Sequence, residues 1–229
     1  MTETRQKTVW ITRTQPSAAA AAEAVQRAGF QCVTAPLLTV ETLAMPELSA
    51  DNLTLIFTSQ NGVRAFCENE TRRDCAVVTV GDATAQLARS VGFKNVKSAG
   101  GTSDDIAPLI ARMNNTAAHY VHVSGNHVRG RVSQDLQSMG LSAERRIYYR
   151  SAPVQAMPDI DVAKVDIAAF FSPLAAQTFA AIGTKTETLN AVSISAATDE
   201  ALGALNFKSR RIATAPTLEA LIASLALAG

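Results

Sequence analysis

One order of strand-like and helix-like segments occurs twice along this chain, and that repetition restricts the fold more than any other feature. Ile11-Thr12-Arg13 aligns with Val123-Ser124-Gly125 at an offset of 123 − 11 = 112. Phe57-Thr58-Ser59 aligns with Phe170-Phe171-Ser172 at 170 − 57 = 113, and Phe66 meets Phe179 at the same offset. Val78 to Thr84 then matches Val192 to Thr198 at 192 − 78 = 114, with Phe93 meeting Phe207. Thr102 to Ile110 matches Thr217 to Leu225 at 217 − 102 = 115. Blocks in a constant order with a slowly drifting offset describe two similar lobes, each about half of the 229 residues.

Within each copy, short β-branched or apolar runs alternate with Ala- and Leu-rich stretches, and Ser, Thr, Gly, Asn or Pro stands at each junction. That rhythm is the signature of βα units and parallel sheets. It predicts strands near Thr8–Thr12, Gln31–Ala35, Thr54–Thr58, Ala76–Val80, Asn95–Ser98, His119–Ser124, Ala143–Tyr149, Asp166–Phe171, Ala191–Ser195 and Arg211–Ala213. Helices are expected between them, among them Pro16–Ala28, Asn61–Glu68, Ala83–Val91, Ser103–Met113 and Leu218–Leu227. Two extended segments, Pro36–Leu43 and Ile147–Pro153, run on past their strands towards proline and pair up as connectors. A cleft between two lobes is then the natural place for a site.

In parallel α/β sheets, ligands sit where strand carboxyl ends feed helix N-termini. Here those junctions read Thr12-Arg13-Thr14, Thr58-Ser59-Gln60-Asn61, Gly81-Asp82-Ala83-Thr84, Gly100-Gly101-Thr102-Ser103, Ser124-Gly125-Asn126-His127, Phe171-Ser172-Pro173 and Ala196-Ala197-Thr198. Each hydroxyl can simply cap its own helix. Taken together, though, small residues that leave amides open beside helix dipoles make a rim suited to carboxylates. The charge balance fits that economy, since 21 basic side chains stand against 20 acidic ones. Near-neutrality argues against a partner held through clustered cations, as nucleic acid is.

Other chemistries find little support. Neither Gly-x-Gly-x-x-Gly after a strand nor Gly-x-x-x-x-Gly-Lys-Ser/Thr occurs, which argues against dinucleotides and phosphate loops. His119 and His122 are three apart on one expected strand and so face opposite ways, a poor metal pair. The three cysteines lack Cys-x-x-Cys spacing and read as reduced packing residues. Asp104-Asp105 reads as a helix cap. No run of apolar residues is long enough to span a bilayer, and Met1 to Thr8 lacks a secretory core, so a cytoplasmic location is expected. Tyr149 stands out. It lies on a connector beside Tyr148 in a chain with only three tyrosines, and strand alternation turns one of the pair towards the cleft. A phenol is protonated at neutral pH and can donate a proton to a leaving oxygen.

These residues resemble the uroporphyrinogen-III synthase family. The carriers are Ile11-Thr12-Arg13, Leu55 to Val63, Val80-Gly81-Asp82-Ala83-Thr84-Ala85, Tyr149-Arg150 followed by Pro153, Phe170-Phe171-Ser172-Pro173 and Ala215 to Leu221. The likeness runs from Val9 to the C-terminus. It departs at Gln60, where the family usually has proline, and at Ser195-Ala196-Ala197, where it usually has Gly-Pro before the threonine. The resemblance implies two flavodoxin-like lobes with parallel sheets, joined by a two-stranded antiparallel connector. One lobe would be residues 1–36 plus 154–229 and the other 44–148, with connectors 37–43 and 149–153.

It further implies a monomer that needs no cofactor or metal. Such an enzyme closes hydroxymethylbilane, a linear tetrapyrrole with acetate and propionate side chains, to uroporphyrinogen III with ring D inverted through a spirocyclic intermediate. Since the substrate also cyclises unaided to the uninverted isomer, the protein's main task is to hold a conformation. By this resemblance Tyr149 assists departure of the hydroxyl and Arg13 contacts a carboxylate. Amides around Ser59, Thr84, Gly101, Ser103, Ser172 and Thr198 grip the others. Transient contact with the upstream deaminase is expected, and contact with nucleic acid or membrane is not. The rival reading is a non-enzymatic, cytosolic two-lobed small-molecule binding protein, which shares the anion-friendly junctions.

Overall fold

The computed structural model describes residues 5–128 and 130–228; Met1 to Thr4 of the polar N-terminal stretch, Arg129 and Gly229 lie outside them. The first half of the chain forms β1 (Thr8–Ile11), α1 (Ser17–Arg27), β2 (Gln31–Thr34), β3 (Leu38–Thr42), β4 (Leu53–Phe57), α2 (Gln60–Asn69), β5 (Ala76–Thr79), α3 (Asp82–Ser90), β6 (Val96–Ser98) and α4 (Ile106–Met113). The second forms β7 (His119–Gly125), α5 (Val132–Ser138), β8 (Ser142–Pro153), β9 (Ile167–Phe170), α6 (Pro173–Ile182), β10 (Asn190–Ser193), α7 (Ala196–Glu200), β11 (Ser209–Ile212) and α8 (Leu218–Ala226).

Two compact units result, one made of the chain up to Thr39 and from Ala152 onward, the other of Val40–Ser151. The first unit holds a five-stranded sheet in the order β2-β1-β9-β10-β11. All its pairings are parallel, and in chain order the arrangement is 2-1-3-4-5, the flavodoxin-like pattern. The second sheet reads β3-β8-β7-β4-β5-β6. Its last five strands repeat the first sheet, with β7 standing for β1, β8 for β2, and β4, β5 and β6 for β9, β10 and β11. The internal duplication is therefore interleaved: each half of the chain lends its first βαβ segment to the sheet completed by the other half. The extra edge strand β3 runs antiparallel to β8, as the bonds from Leu43 N–H to the Tyr148 carbonyl and from Val154 N–H to the Leu37 carbonyl require. Both passages of the chain from one unit to the other fall on these two strands.

The central strands are apolar on both faces, as a sheet covered by helices demands. Every residue of β4 (LTLIF) and β9 (IAAF) is buried, whereas β11 at one edge (SRRI) buries none fully. The duplication extends to the cores. Phe66 lies against Phe57 and Phe93 with centroids 5.9 and 6.0 Å apart. Its counterpart Phe179 lies against Phe170 and Phe207 at 5.1 and 5.8 Å. Each aromatic trio pins a helix, α2 or α6, to the strand that precedes it.

Candidate active site

The topological switch of the second sheet lies between β4 and β7, whose connections leave in opposite directions and open a crevice at their carboxyl ends. A cavity of about 350 Å³ occupies that position, lined by Thr58, Ser59, Val80, Thr102, Ser103, His127, Val128 and Tyr149. Thr58 and Ser59 follow β4, Val80 follows β5, and His127 and Val128 follow β7. Thr102 and Ser103 open the short 3₁₀ turn, Ser103–Asp105, that leads into α4.

Ser59 caps α2, accepting the Gly62 N–H at 3.2 Å. Its oxygen also lies 2.7 Å from the Tyr149 hydroxyl. Either hydroxyl can donate in this pair; in the arrangement in which the Ser59 O–H donates to the Tyr149 oxygen, the phenol proton is left for a ligand. Across the cavity, the Thr102 N–H and O–H both donate to Asp105. These two bonds stabilise the Asp105 carboxylate and lower it from its ordinary value, so it stays ionised at neutral pH with the Thr102 N–H and O–H turned onto it. Among the described lining residues there is no Lys or Arg. The polar complement is hydroxyls, one imidazole and the positive end of α2.

A slip in strand β8 aims Tyr149. Ile147 pairs with Ser124, but Tyr149, two residues on, pairs with Gly125, leaving a bulge in the ladder. Bulges of this kind re-aim side chains beside functional sites. Simple alternation at Tyr148 and Tyr149 is broken as a result. Tyr148 is fully buried against Phe66, while half-buried Tyr149 packs on the margin of the same core with its hydroxyl on Ser59. The Tyr148 phenol is pushed up to about 12, chiefly by burial, with Glu70 adding to the effect. Its hydroxyl finds no hydrogen-bond partner among the described residues. Of the two neighbouring tyrosines, Tyr149 is the one placed to touch a ligand.

Gly125 makes room for that ring, since a Cβ there would lie 2.6 Å from the Tyr149 Cε2 atom. Gly125→Ala is therefore expected to push the ring off Ser59. Turnover should fall on the order of 10²-fold, as a misplaced reacting group does, while Tm moves by no more than about 3 °C. Steady-state kinetics beside a thermal melt checks it; full activity would show that the ring position is unimportant.

Of the residues expected from the sequence, Tyr149, Ser59 and Ser103 share this cavity. Gly101 adjoins it next to Thr102, in a turn so tight that a Cβ would meet the Asp105 carboxylate at 2.3 Å. Thr84 lies in the first turn of α3, buried, with its N–H bonded to the Gly81 carbonyl. The remaining three belong to the first unit. Ser172 caps α6 as Ser59 caps α2, accepting the Ala175 N–H at 3.2 Å. Arg13, at the carboxyl end of β1, stacks its guanidinium 4.8 Å from the Phe171 ring centroid. Thr198 is fully buried; its N–H and hydroxyl both meet the Ser195 oxygen. Thr58, Thr102 and His127 line the cavity too, and their signal in the sequence was adjacency to the chosen hydroxyls at the same strand ends. Burial raises all three cysteine thiols above their ordinary range, which suits packing residues and not nucleophiles.

A duplicated flavodoxin-like fold with a cation-poor, hydroxyl-rich crevice at a strand switch defines a two-unit α/β protein. Residues 19–223 match the family described as uroporphyrinogen-III synthase HemD, and the chain belongs to that family. Among solved structures it resembles uroporphyrinogen-III synthetase from Helicobacter pylori, with a TM-score of 0.60, 18% identity, and 97% of this chain and 99% of that one covered. A weaker likeness is to uroporphyrinogen III synthase from the extremely thermophilic bacterium Thermus thermophilus, with a TM-score of 0.41, 15% identity and 96% of both chains covered. No curated protein sequence matches this one. No helix among the described residues is long and apolar enough to cross a membrane.

Proposed function

We propose that this chain closes hydroxymethylbilane to uroporphyrinogen III with inversion of ring D. The observation that carries the reading, beside membership of the family, is the Tyr149 hydroxyl on Ser59 at the mouth of helix α2. In the first step the substrate's terminal hydroxyl leaves as water. The Tyr149 phenol supplies the proton and the adjoining pyrrole supplies the electron pair, giving an azafulvenium ion whose N–H proton returns to the tyrosinate and leaves the neutral azafulvene. The substituted carbon of ring D attacks that centre to form a spirocyclic pyrrolenine, which fragments and recloses on the other carbon. No step changes the oxidation state overall, so the chemistry calls for no cofactor.

Holding the folded substrate is the larger part of catalysis, because the competing closure needs no enzyme. Carboxylates are held at Ser59 and Ser103 by amides and hydroxyls, beside the Gly101 turn whose N–H is bonded to the Val80 carbonyl; Arg13 and Ser172 stand at the corresponding junction of the first unit. Thr84 and Thr198, buried within their own turns, keep neighbouring amides in place. We infer a monomer working in the cytoplasm, supplied by transient contact with the deaminase that releases the unstable substrate. The test is to generate hydroxymethylbilane enzymatically and identify the isomer formed. The type III isomer is expected; a mixture equal to the enzyme-free control would leave the binding-protein reading in its place.

A further inference from the structure

Two consecutive hydroxyls, Thr58 and Ser59, leave β4 for the cavity, and each is engaged from the β7-β8 pair. Ser59 meets Tyr149; Thr58 meets His122, whose Nε2 lies 3.1 Å from the Thr58 oxygen. His122 sits mid-strand and is only 2% exposed, on a face where Tyr120, Ile56, Val132 and Leu136 form an apolar cluster. An apolar side chain is the ordinary choice for such a position. A buried imidazole there requires a polar partner, and the partner it has is a side chain of the cavity wall.

We propose that His122 is a positioning residue for the substrate: its neutral imidazole donates Nε2–H to Thr58 and turns the Thr58 O–H into the cavity, towards a substrate carboxylate. Neutrality is secured by the surroundings. Burial and, after it, the neighbouring Arg145 lower the imidazole to about 4. Arg145 is itself occupied, donating to the Ser124 hydroxyl and to the Gly125 and Asn126 carbonyls. With one imidazole proton spent on Thr58, the threonine's single proton has nowhere better to go than the ligand. The inference rests on the cyclase reading above, since it assigns the ligand.

The test compares wild type, His122→Leu, His122→Gln, Thr58→Val and the double variant His122→Leu/Thr58→Val, each measured for kcat, KM and product isomer. Loss of one hydrogen bond to a charged group predicts a KM about tenfold higher for His122→Leu and for Thr58→Val, with kcat within about twofold. Gln offers a side-chain N–H at the same reach and is expected to restore KM to within about twofold of wild type. The double variant should be no worse than Thr58→Val alone. An unchanged KM in Thr58→Val, additive losses in the double variant, or equal losses from His122→Gln and His122→Leu would overturn the proposal. Thr58→Val, nearly isosteric, decides the matter if His122→Leu does not fold. Type III product from wild type with an unmoved KM in the variants sinks this inference alone, whereas control-like product from wild type sinks the cyclase reading itself.

Discussion

Tyr149→Phe is expected to slow formation of the type III isomer on the order of 10²-fold, the lower end of what a positioned general acid supplies. The loss should be partial because the electron-rich pyrrole drives hydroxyl departure on its own and the conformation of the substrate is still enforced. Slower closure lets the unaided reaction compete, so the type I fraction should rise as the rate falls. Tyr148→Phe is the control. The Tyr148 hydroxyl is buried without a partner among the described residues, so its removal should leave the rate unchanged and cost no stability. Single-turnover conversion with isomer analysis measures both. An unchanged rate for Tyr149→Phe removes the phenol from the mechanism.

Phe66→Ala and Phe179→Ala are each expected to destabilise the protein by about 3–5 kcal/mol, the cost of deleting a buried aromatic side chain. Phe66 loses contact with Phe57, Phe93 and Tyr148, and Phe179 with Trp10, Phe170 and Phe207. Both are fully buried, and they serve different cores. The damage should therefore be local. Hydrogen exchange in Phe66→Ala should quicken in β4, β5 and β7 and spare β9 and β10, with the reverse in Phe179→Ala. Equal acceleration throughout both units would mean that the repeat's two aromatic trios do not act separately.

Most of this fold is legible because its information is local and repeated. The phenylalanines at offsets of 113 and 114 mark the same helix-on-strand contact twice, and the structure places each in an aromatic trio. Strand positions follow from apolar runs such as Leu53–Phe57, which permit only a sheet covered on both faces. The interleaving of the halves is different. A repeat shows that two copies exist but not which sheet each βαβ segment joins, and only the family resemblance supplied that.

Strand β8 was the least legible element. Its twelve residues, Ser142–Pro153, form one continuous strand, whereas the expected strand stopped at Tyr149 with a connector beyond it. Polar, alternating residues beside the edge strand carry a weak strand signal. The bulge opposite Gly125 depends on a partner strand about 24 residues away in sequence, so no local pattern announces it. The pairing of His122 with Thr58 escaped for a similar reason: alternation tells which face a histidine occupies, not which hydroxyl lies across the ladder. By contrast, the helix-capping serines at 59 and 172 were visible from strand-to-helix junctions alone, since a cap is written within four residues.

Carboxylates of the tetrapyrrole are expected to be held at the strand-switch crevice of Val40–Ser151 by amides and hydroxyls. Amide chemical-shift mapping during an anaerobic titration with uroporphyrinogen III tests it most directly. The largest perturbations are expected at Ser59 to Gly62, Gly101 to Ser103 and Tyr149, with those amides moving together along one saturating curve. A second cavity, of about 410 Å³, is lined by Val154, Leu174, Gln177 and Ile182 beside α6. Perturbations concentrated there, with the crevice amides unmoved, would contradict the account.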